Sequence, residues 1–361
     1  MPSAKSLFVC GSGEELGLGG AGMQSTLVQV GVGQWKSIAA GNGFVFAVMD
    51  DGTLWSWGVN TYGQLGLGDY STRLNPTQVG SASSWLSVSA GNTYAFAVNT
   101  AGMVYAVGSD TYGETGGFGG TTLHLVTTLS SIAKVSCGDS HTVALTTTGQ
   151  MWATGYNANG ELGNGTGADR ATFGVIGAGV WLDVDVGYSH TLAIKSDGTL
   201  WASGVNANGE LGVGDTTGRL SFTQVGSSTW SSVSAGYSYS LGVSSAGALL
   251  SWGRRAGGVL GDGLTSGYVT SPNVVSASGW VAAIANLAAH SAGIRSDNTL
   301  WTWGDSTGGK LGHTPSTVPA QVGVDRWSVA TVGAGATIAI AASEPSLFWT
   351  NFFGQRESLG T

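Results

Sequence analysis

Several residue groups in this chain are of types that do chemistry, and each has to be weighed against the pattern around it. Gly160-Glu161-Leu162-Gly163-Asn164-Gly165 has the glycine content of a phosphate-cradling loop. It lacks the G-x-G-x-x-G order and no helical pattern follows, so no helix N-terminus would meet a phosphate. His141, His190 and His290 could serve as ligands or bases, but Phe44, Tyr94 and Tyr239 occupy equivalent positions. A position that accepts Phe, Tyr or His is a packing site with an optional hydrogen bond. Cys10 and Cys137 form no C-x-x-C pair and have no histidine cluster nearby, which argues against zinc. Both fall at strand positions and are expected to be buried and inert. Asp69 with Arg73, Asp215 with Arg219, and Arg170 recur in register and read as loop braces. One active site needs one constellation, whereas these groups form rings of copies. The expectation is a protein that is not an enzyme, with no catalytic residue, metal site or cofactor.

The informative positions are those where one copy departs from the others. Arg254-Arg255 stands where neighbouring copies have pairs such as Val205-Asn206. Tyr62, Tyr112 and Tyr156 fall in the turns of consecutive copies. Exposed Tyr and Arg are frequent anchors of protein interfaces, so these five are candidate protein-binding residues.

The elements that must position them are repeats. Leu54-Trp55-Ser56-Trp57-Gly58 returns as Met151 to Gly155, Leu200 to Gly204 and Leu300 to Gly304, with weaker copies at Leu7, Val104 and Leu249. Their closing glycines fall at 11, 58, 108, 155, 204, 253 and 304, in steps of 47 to 51. Each unit continues with a turn such as Asn206-Ala207-Asn208-Gly209-Glu210-Leu211-Gly212, a Thr-Gln-Val strand, a Trp-led strand ending in Ala-Gly, and a further apolar strand. Four short strands bounded by glycine, with no sustained helical period, make an all-β unit that cannot bury both faces alone. Radial packing solves this. The expected fold is a seven-bladed β-propeller of four-stranded blades. Its units start near 6, 53, 103, 150, 199, 248 and 299 within residues 1–346. The column Trp35, Trp85, Ile132, Trp181, Trp230, Trp280 and Trp327 is expected to pack between blades.

The Leu-Trp-x-x-Gly strand, the Asn-x-x-Gly-Glu-Leu-Gly-x-Gly turn and the Ser-Ala-Gly segment resemble the repeats of the regulator of chromosome condensation family. The resemblance spans roughly Ser6 to Ile340, and points to a compact member of phage or bacterial type. WD-repeat propellers share the period but lack this glycine pattern. The family resemblance implies a propeller, and its namesake is a nucleotide-exchange factor for a small GTPase that also docks on chromatin. This chain lacks a basic N-terminal tail, and no exchange residue carries over.

Composition narrows the partners. Net charge is −8, and only 9 % of residues are charged. That argues against nucleic acid, whose affinity rests on Lys and Arg neutralising phosphates. No apolar run approaches the roughly 18 residues of a membrane span. Met1 to Lys5 runs into the first repeat at Ser6, leaving no room for a signal peptide. The expectation is a non-catalytic binding or structural propeller, a virion fibre, tail or surface component made in the cytoplasm. Its partners would be proteins, assembly neighbours or a host-surface receptor. Alternatives are a cytoplasmic protein, a propeller-type enzyme inhibitor, or the exchange factor that the resemblance implies.

One segment does not fit the count. Ser346-Leu347-Phe348-Trp349-Thr350-Asn351 is an eighth copy of the opening strand, with Asn351 where glycine is expected. The ring has one slot for it or for Leu7 to Gly11, and the latter is favoured because it keeps the turn Glu15-Leu16-Gly17-Leu18-Gly19. Residues 347–361 are then a tail, whose Phe348, Trp349, Phe352 and Phe353 are further candidate contacts.

Overall fold

A computed structural model describes residues 5–342 apart from 21, 286 and 288. Among these are 27 strands and three single-turn 3-10 helices. The β-branched and aromatic runs extend because their side chains fit a pleated surface, and Gly-rich turns end each one.

The strands form blades in which the Trp-led strand comes first. Blade 1 is Trp35–Ala40, Phe44–Met49, Leu54–Gly58 and Arg73–Gln78. Blade 2 is Trp85–Ala90, Tyr94–Asn99, Val104–Gly108 and Gly120–Leu125. Blade 3 is Ile132–Cys137, His141–Thr146, Met151–Gly155 and Arg170–Ile176. Blade 4 takes Trp181–Val186, His190–Lys195, Thr199–Gly204 and the first part of the long strand Arg219–Ala235. The rest of that strand opens blade 5, with Tyr239–Ser244, Leu249–Arg254 and Tyr268–Ser276. Blade 6 is Trp280–Ile284, His290–Arg295, Leu300–Gly304 and Ser316–Gln321. Blade 7 joins the two ends of the chain: Trp327–Val332 and Ala336–Ala341 pair onward to Leu7–Gly11 and Gln24–Gln29. A unit counted from its Leu-Trp strand therefore gives two strands to one blade and two to the next.

Residues of all seven Trp-led strands enclose one cavity of about 220 Å³, so these strands are innermost and line the axis. Neighbouring innermost strands are tied blade to blade. The N–H of Cys137 donates to Ser89 Oγ (3.2 Å), that of Val186 to Ser136 Oγ (3.1 Å), that of Ala235 to Asp185 Oδ2 (2.9 Å) and that of Ala285 to Ser234 Oγ (3.0 Å). Lys134 meets Asp183 at 2.7 Å in the same wall.

The core is divided into seven apolar clusters, one at each junction between adjacent blades. Each contains one member of the Trp35 to Trp327 column, and every member is buried. Each such Trp removes on the order of 150–250 Å² from water, which makes the inter-blade seam the main source of stability.

Closure at blade 7 uses the N-terminal copy, in the register Leu7↔Ile340 to Gly11↔Ala336. Gly11 shows why a glycine belongs at this point. Its φ is +126°, and a Cβ there would run into the carbonyl oxygen of Gly335. Gly58 has φ +105° and the same conflict with Gly43. An Asn at that point would meet backbone that cannot give way.

Candidate protein-binding face

Successive strands of a blade run antiparallel, so the turn after each innermost strand and the long loop after each third strand emerge at the same end of the ring. Asn42, Asn92, Asp139, Tyr188, Tyr237, Leu287 and Ala334 stand in seven equivalent turns around the mouth of the axial cavity. Asn42 Nδ2 donates to Asn92 Oδ1 (2.9 Å), and Asn92 Nδ2 donates to Asp139 Oδ1 (2.7 Å). The rings of Tyr188 and Tyr237 stack with centroids 4.3 Å apart.

Three concavities meet around this mouth. One lies beneath the turns themselves. A second, of about 260 Å³, runs between blades 3 and 4 and is lined by Tyr112, Asp139, Tyr156, Asn159, Tyr188 and Ser189 among others. The third holds Tyr237, Arg254 and Leu287 beside blades 5 and 6. Asp139 and Tyr188 belong to the first two, Tyr237 and Leu287 to the first and third. The result is a continuous aromatic-lined face.

The loops that carry these side chains are fixed by the glycine-glutamate motif. Glu114 accepts the N–H of Tyr112 (2.7 Å), Glu161 that of Asn159 (2.9 Å) and Glu210 that of Asn208 (2.7 Å). Gln64 does the same for Tyr62 (2.8 Å). Buried Asn60 and Asn206 hold the other side of the loop: the Leu65 N–H donates to Asn60 Oδ1 (3.0 Å) and the Leu211 N–H to Asn206 Oδ1 (2.9 Å).

Tyr112 and Tyr156 meet edge to face, 5.3 Å between centroids, within the second concavity. Arg254 is exposed and lines the third. Arg255 is used differently. It stands in the bracing-Asn position, and its Nε donates to Asp262 Oδ2 at 2.7 Å with both groups largely buried. It is a loop brace, like Arg73 with Asp69 (2.6 Å) and Arg219 with Asp215 (2.7 Å). Arg170 donates instead to the Val175 carbonyl (3.3 Å). Tyr62 is exposed but is not among the residues lining the three concavities. Phe348, Trp349, Phe352 and Phe353 lie outside the described residues. Asp139, Tyr188 and Tyr237 were not singled out by sequence reasoning. Their signal is variation at one position between an almost constant glycine and the Phe, Tyr or His column.

The histidines lie beneath this face and join blades. His141 Nε2 bonds Thr191 Oγ1 (3.0 Å), His190 Nε2 bonds Ser240 Oγ (2.9 Å) and His290 Nε2 bonds Thr337 Oγ1 (3.0 Å). Tyr94 uses the same position to donate to the His141 carbonyl (2.7 Å). Burial pushes the imidazoles down to about 3, 4 and 3, so all three are neutral in the fold. Burial pushes the Cys10 and Cys137 thiols up to about 12, well away from nucleophilic thiolate. Glu15, on the blade-7 loop, accepts the Gly335 N–H, and burial raises it to about 7.

Seven four-stranded blades, a closure shared by the two ends of the chain and one face built from repeated turns define a β-propeller with a recessed surface at that face. Its repeats are of the regulator of chromosome condensation type. One model of that repeat matches residues 51–98, and a second matches residues 35–64, 132–161 and 181–210. Among solved structures it is similar to human WBSCR16, with a TM-score of 0.84 at 20 % identity, covering 94 % of this chain and 100 % of that one. Yeast Prp20 in its structure with Kap60 gives 0.82 at 20 % identity, covering 94 % and 89 %. Prp20p from Saccharomyces cerevisiae, studied for its binding to Gsp1p and histones, gives 0.82 at 19 %, covering 95 % and 92 %. At these identities the likeness concerns the fold.

Proposed function

We propose that this chain is a non-catalytic, protein-binding propeller that engages its partner through the aromatic-lined face at the mouth of the axial cavity. The observation that carries the reading is the continuity of three concavities through shared residues, with Tyr112, Tyr237 and Arg254 exposed on it. Tyr supplies large contact area at low entropic cost, and Tyr and Arg are frequent interface anchors. Support from likeness comes from the Prp20 structures, in which a protein of similar fold is bound to Kap60 or described with Gsp1p and histones. A virion surface is the assembly context, supported by the 9 % charged residues and the high Gly content. Mass spectrometry of purified particles tests that placement.

A photo-crosslinking residue placed at position 112 or 237 should capture the partner, whereas one at Asp51, in a turn at the opposite end of the ring, should not. Equal capture from both ends would sink the face reading. Stimulated nucleotide release from a Ran-type GTPase by the purified chain would turn the reading into the exchange activity of the family's namesake.

A further inference from the structure

We propose that the groove between blades 3 and 4 is a cage for one cationic side chain of a protein partner, a guanidinium or an alkylammonium. This rests on the face reading above and names the chemistry that would recognise the partner. Tyr112, Tyr156 and Tyr188 bring three aromatic rings to one groove of about 260 Å³, and a carboxylate, Asp139, stands among them. The negative face of an aromatic ring attracts a cation, and an adjacent carboxylate adds to that attraction.

The state of Asp139 distinguishes this site from an ordinary polar groove. Its oxygens accept from Asn92 Nδ2 (2.7 Å) and Ser140 Oγ (2.8 Å), both neutral donors. Among the described residues, the ion pairs use Asp50, Asp69, Asp183, Asp215, Asp262, Asp297 and Asp305, and none uses Asp139. Among the described residues, no Lys or Arg lines the groove. The carboxylate's negative charge is felt inside it, because Asp139 is the foremost cause holding the Tyr188 hydroxyl above the usual tyrosine range. Asn92 and Ser140 fix the carboxylate in place, so little ordering remains when a ligand arrives. A neutral sugar could stack on the same rings but would leave the charge uncompensated, and an anionic ligand would be repelled. The chain's net charge of −8 would also steer a basic loop toward this surface.

Tyrosine ring resonances of the full chain, titrated with N-acetyl-arginine amide, its neutral citrulline counterpart and methyl glucoside, test the cage. The arginine probe should shift the rings of Tyr112, Tyr156 and Tyr188, more weakly as salt rises. The citrulline probe, and the arginine probe on Asp139→Asn, should bind about tenfold or more weakly. Should Asp139→Asn disturb its turn, Tyr112→Leu leaves the carboxylate and its two hydrogen bonds intact and should still weaken the arginine probe several-fold. Equal binding of arginine and citrulline, absence of shifts with any probe, or preference for the glucoside each overturns the proposal. A small probe needs no partner, so its failure removes the cage alone, and the face reading stands or falls on its own crosslinking result.

Discussion

Two tryptophan columns look alike in the sequence and differ in what they do. Trp57, Trp252 and Trp303 each donate an indole N–H to a loop carbonyl of the preceding blade, at 2.9, 2.8 and 2.7 Å. The buried indole N–H groups of Trp35, Trp85, Trp181, Trp230, Trp280 and Trp327 make no hydrogen bond among the described residues. The second column therefore acts by area alone. Trp230→Ala should cost about 3–5 kcal/mol, the usual range for emptying a large aromatic site. Trp230→Phe should keep most of the stability, whereas Trp252→Phe should lose about 1 kcal/mol more with its hydrogen bond, the Glu210 carbonyl keeping the Ser240 hydroxyl as a donor (2.7 Å). Urea unfolding of the three variants checks this ordering, and equal losses in the two Phe variants would refute it. Column membership was legible because copies of one repeat superpose, and the inter-blade role of the Trp column followed directly. What a departing residue does was less legible. Arg254 and Arg255 are sequence neighbours, yet one lines the concavity beside blades 5 and 6 and the other replaces a buried Asn brace. Arg255→Ala should lower stability by roughly 1 kcal/mol or more, as loss of a largely buried, hydrogen-bonded pair does. Arg254→Ala should leave the melting temperature nearly unchanged and weaken partner capture.

At the scale of elements, five of the second strands begin with a residue that hydrogen-bonds the next blade, and in three of them that residue is a buried neutral histidine. The unfolded chain protonates them near 6.5, but the fold holds them down to about 3, 4 and 3. Between those limits the unfolded state binds more protons, so the stability these groups contribute is whole above about 6.5 and declines as pH falls. Three such groups give a slope of up to roughly 4 kcal/mol per pH unit. Glu15 acts in the opposite sense. Raised to about 7 in the fold, it contributes stability below its ordinary value that is lost as pH rises toward 7. Urea midpoints taken from pH 4.5 to 7 should therefore rise with pH, less steeply than three histidines alone would give. His141→Tyr, which borrows the solution used by Tyr94, should flatten the rise, and Glu15→Gln, which borrows that of Gln64, should steepen it. A pH-independent midpoint would remove the neutral-histidine account. The four strands per unit were legible from glycine punctuation, but the offset between unit and blade was not. A tandem repeat has no intrinsic start, so any cut is equivalent until the sheets show that the Trp-led strand is innermost.

For the whole molecule, a ring must close, and the sequence carries two segments with the same opening residues for one slot. Ser6-Leu7-Phe8 and Ser346-Leu347-Phe348 begin identically, after which Val9, Cys10 and Gly11 stand against Trp349, Thr350 and Asn351, and the last pair bears on closure. The slot requires positive φ with no room for a Cβ, a condition that Gly11 meets. Leu7 and Val9 complete the cluster that holds Ile338, Ile340 and Trp35, all buried, and the Lys5 N–H continues the ladder to the Ala341 carbonyl at 3.0 Å. The closure therefore joins residues 300 or more apart in sequence, through Cys10 Sγ to the Lys310 carbonyl as well as through the sheet. Removing residues up to Gln29 takes two strands from blade 7 and opens the apolar seams on both of its sides, so the cooperative transition should be lost. Removing Leu347 to Thr361 leaves every one of these contacts in place, so the truncated chain should unfold in a single transition with its midpoint unchanged. Scanning calorimetry of the two truncations decides between the copies. Survival of the first with collapse of the second would mean that the C-terminal strand closes the ring and that Asn351 tolerates a backbone the rest of the ring reserves for glycine.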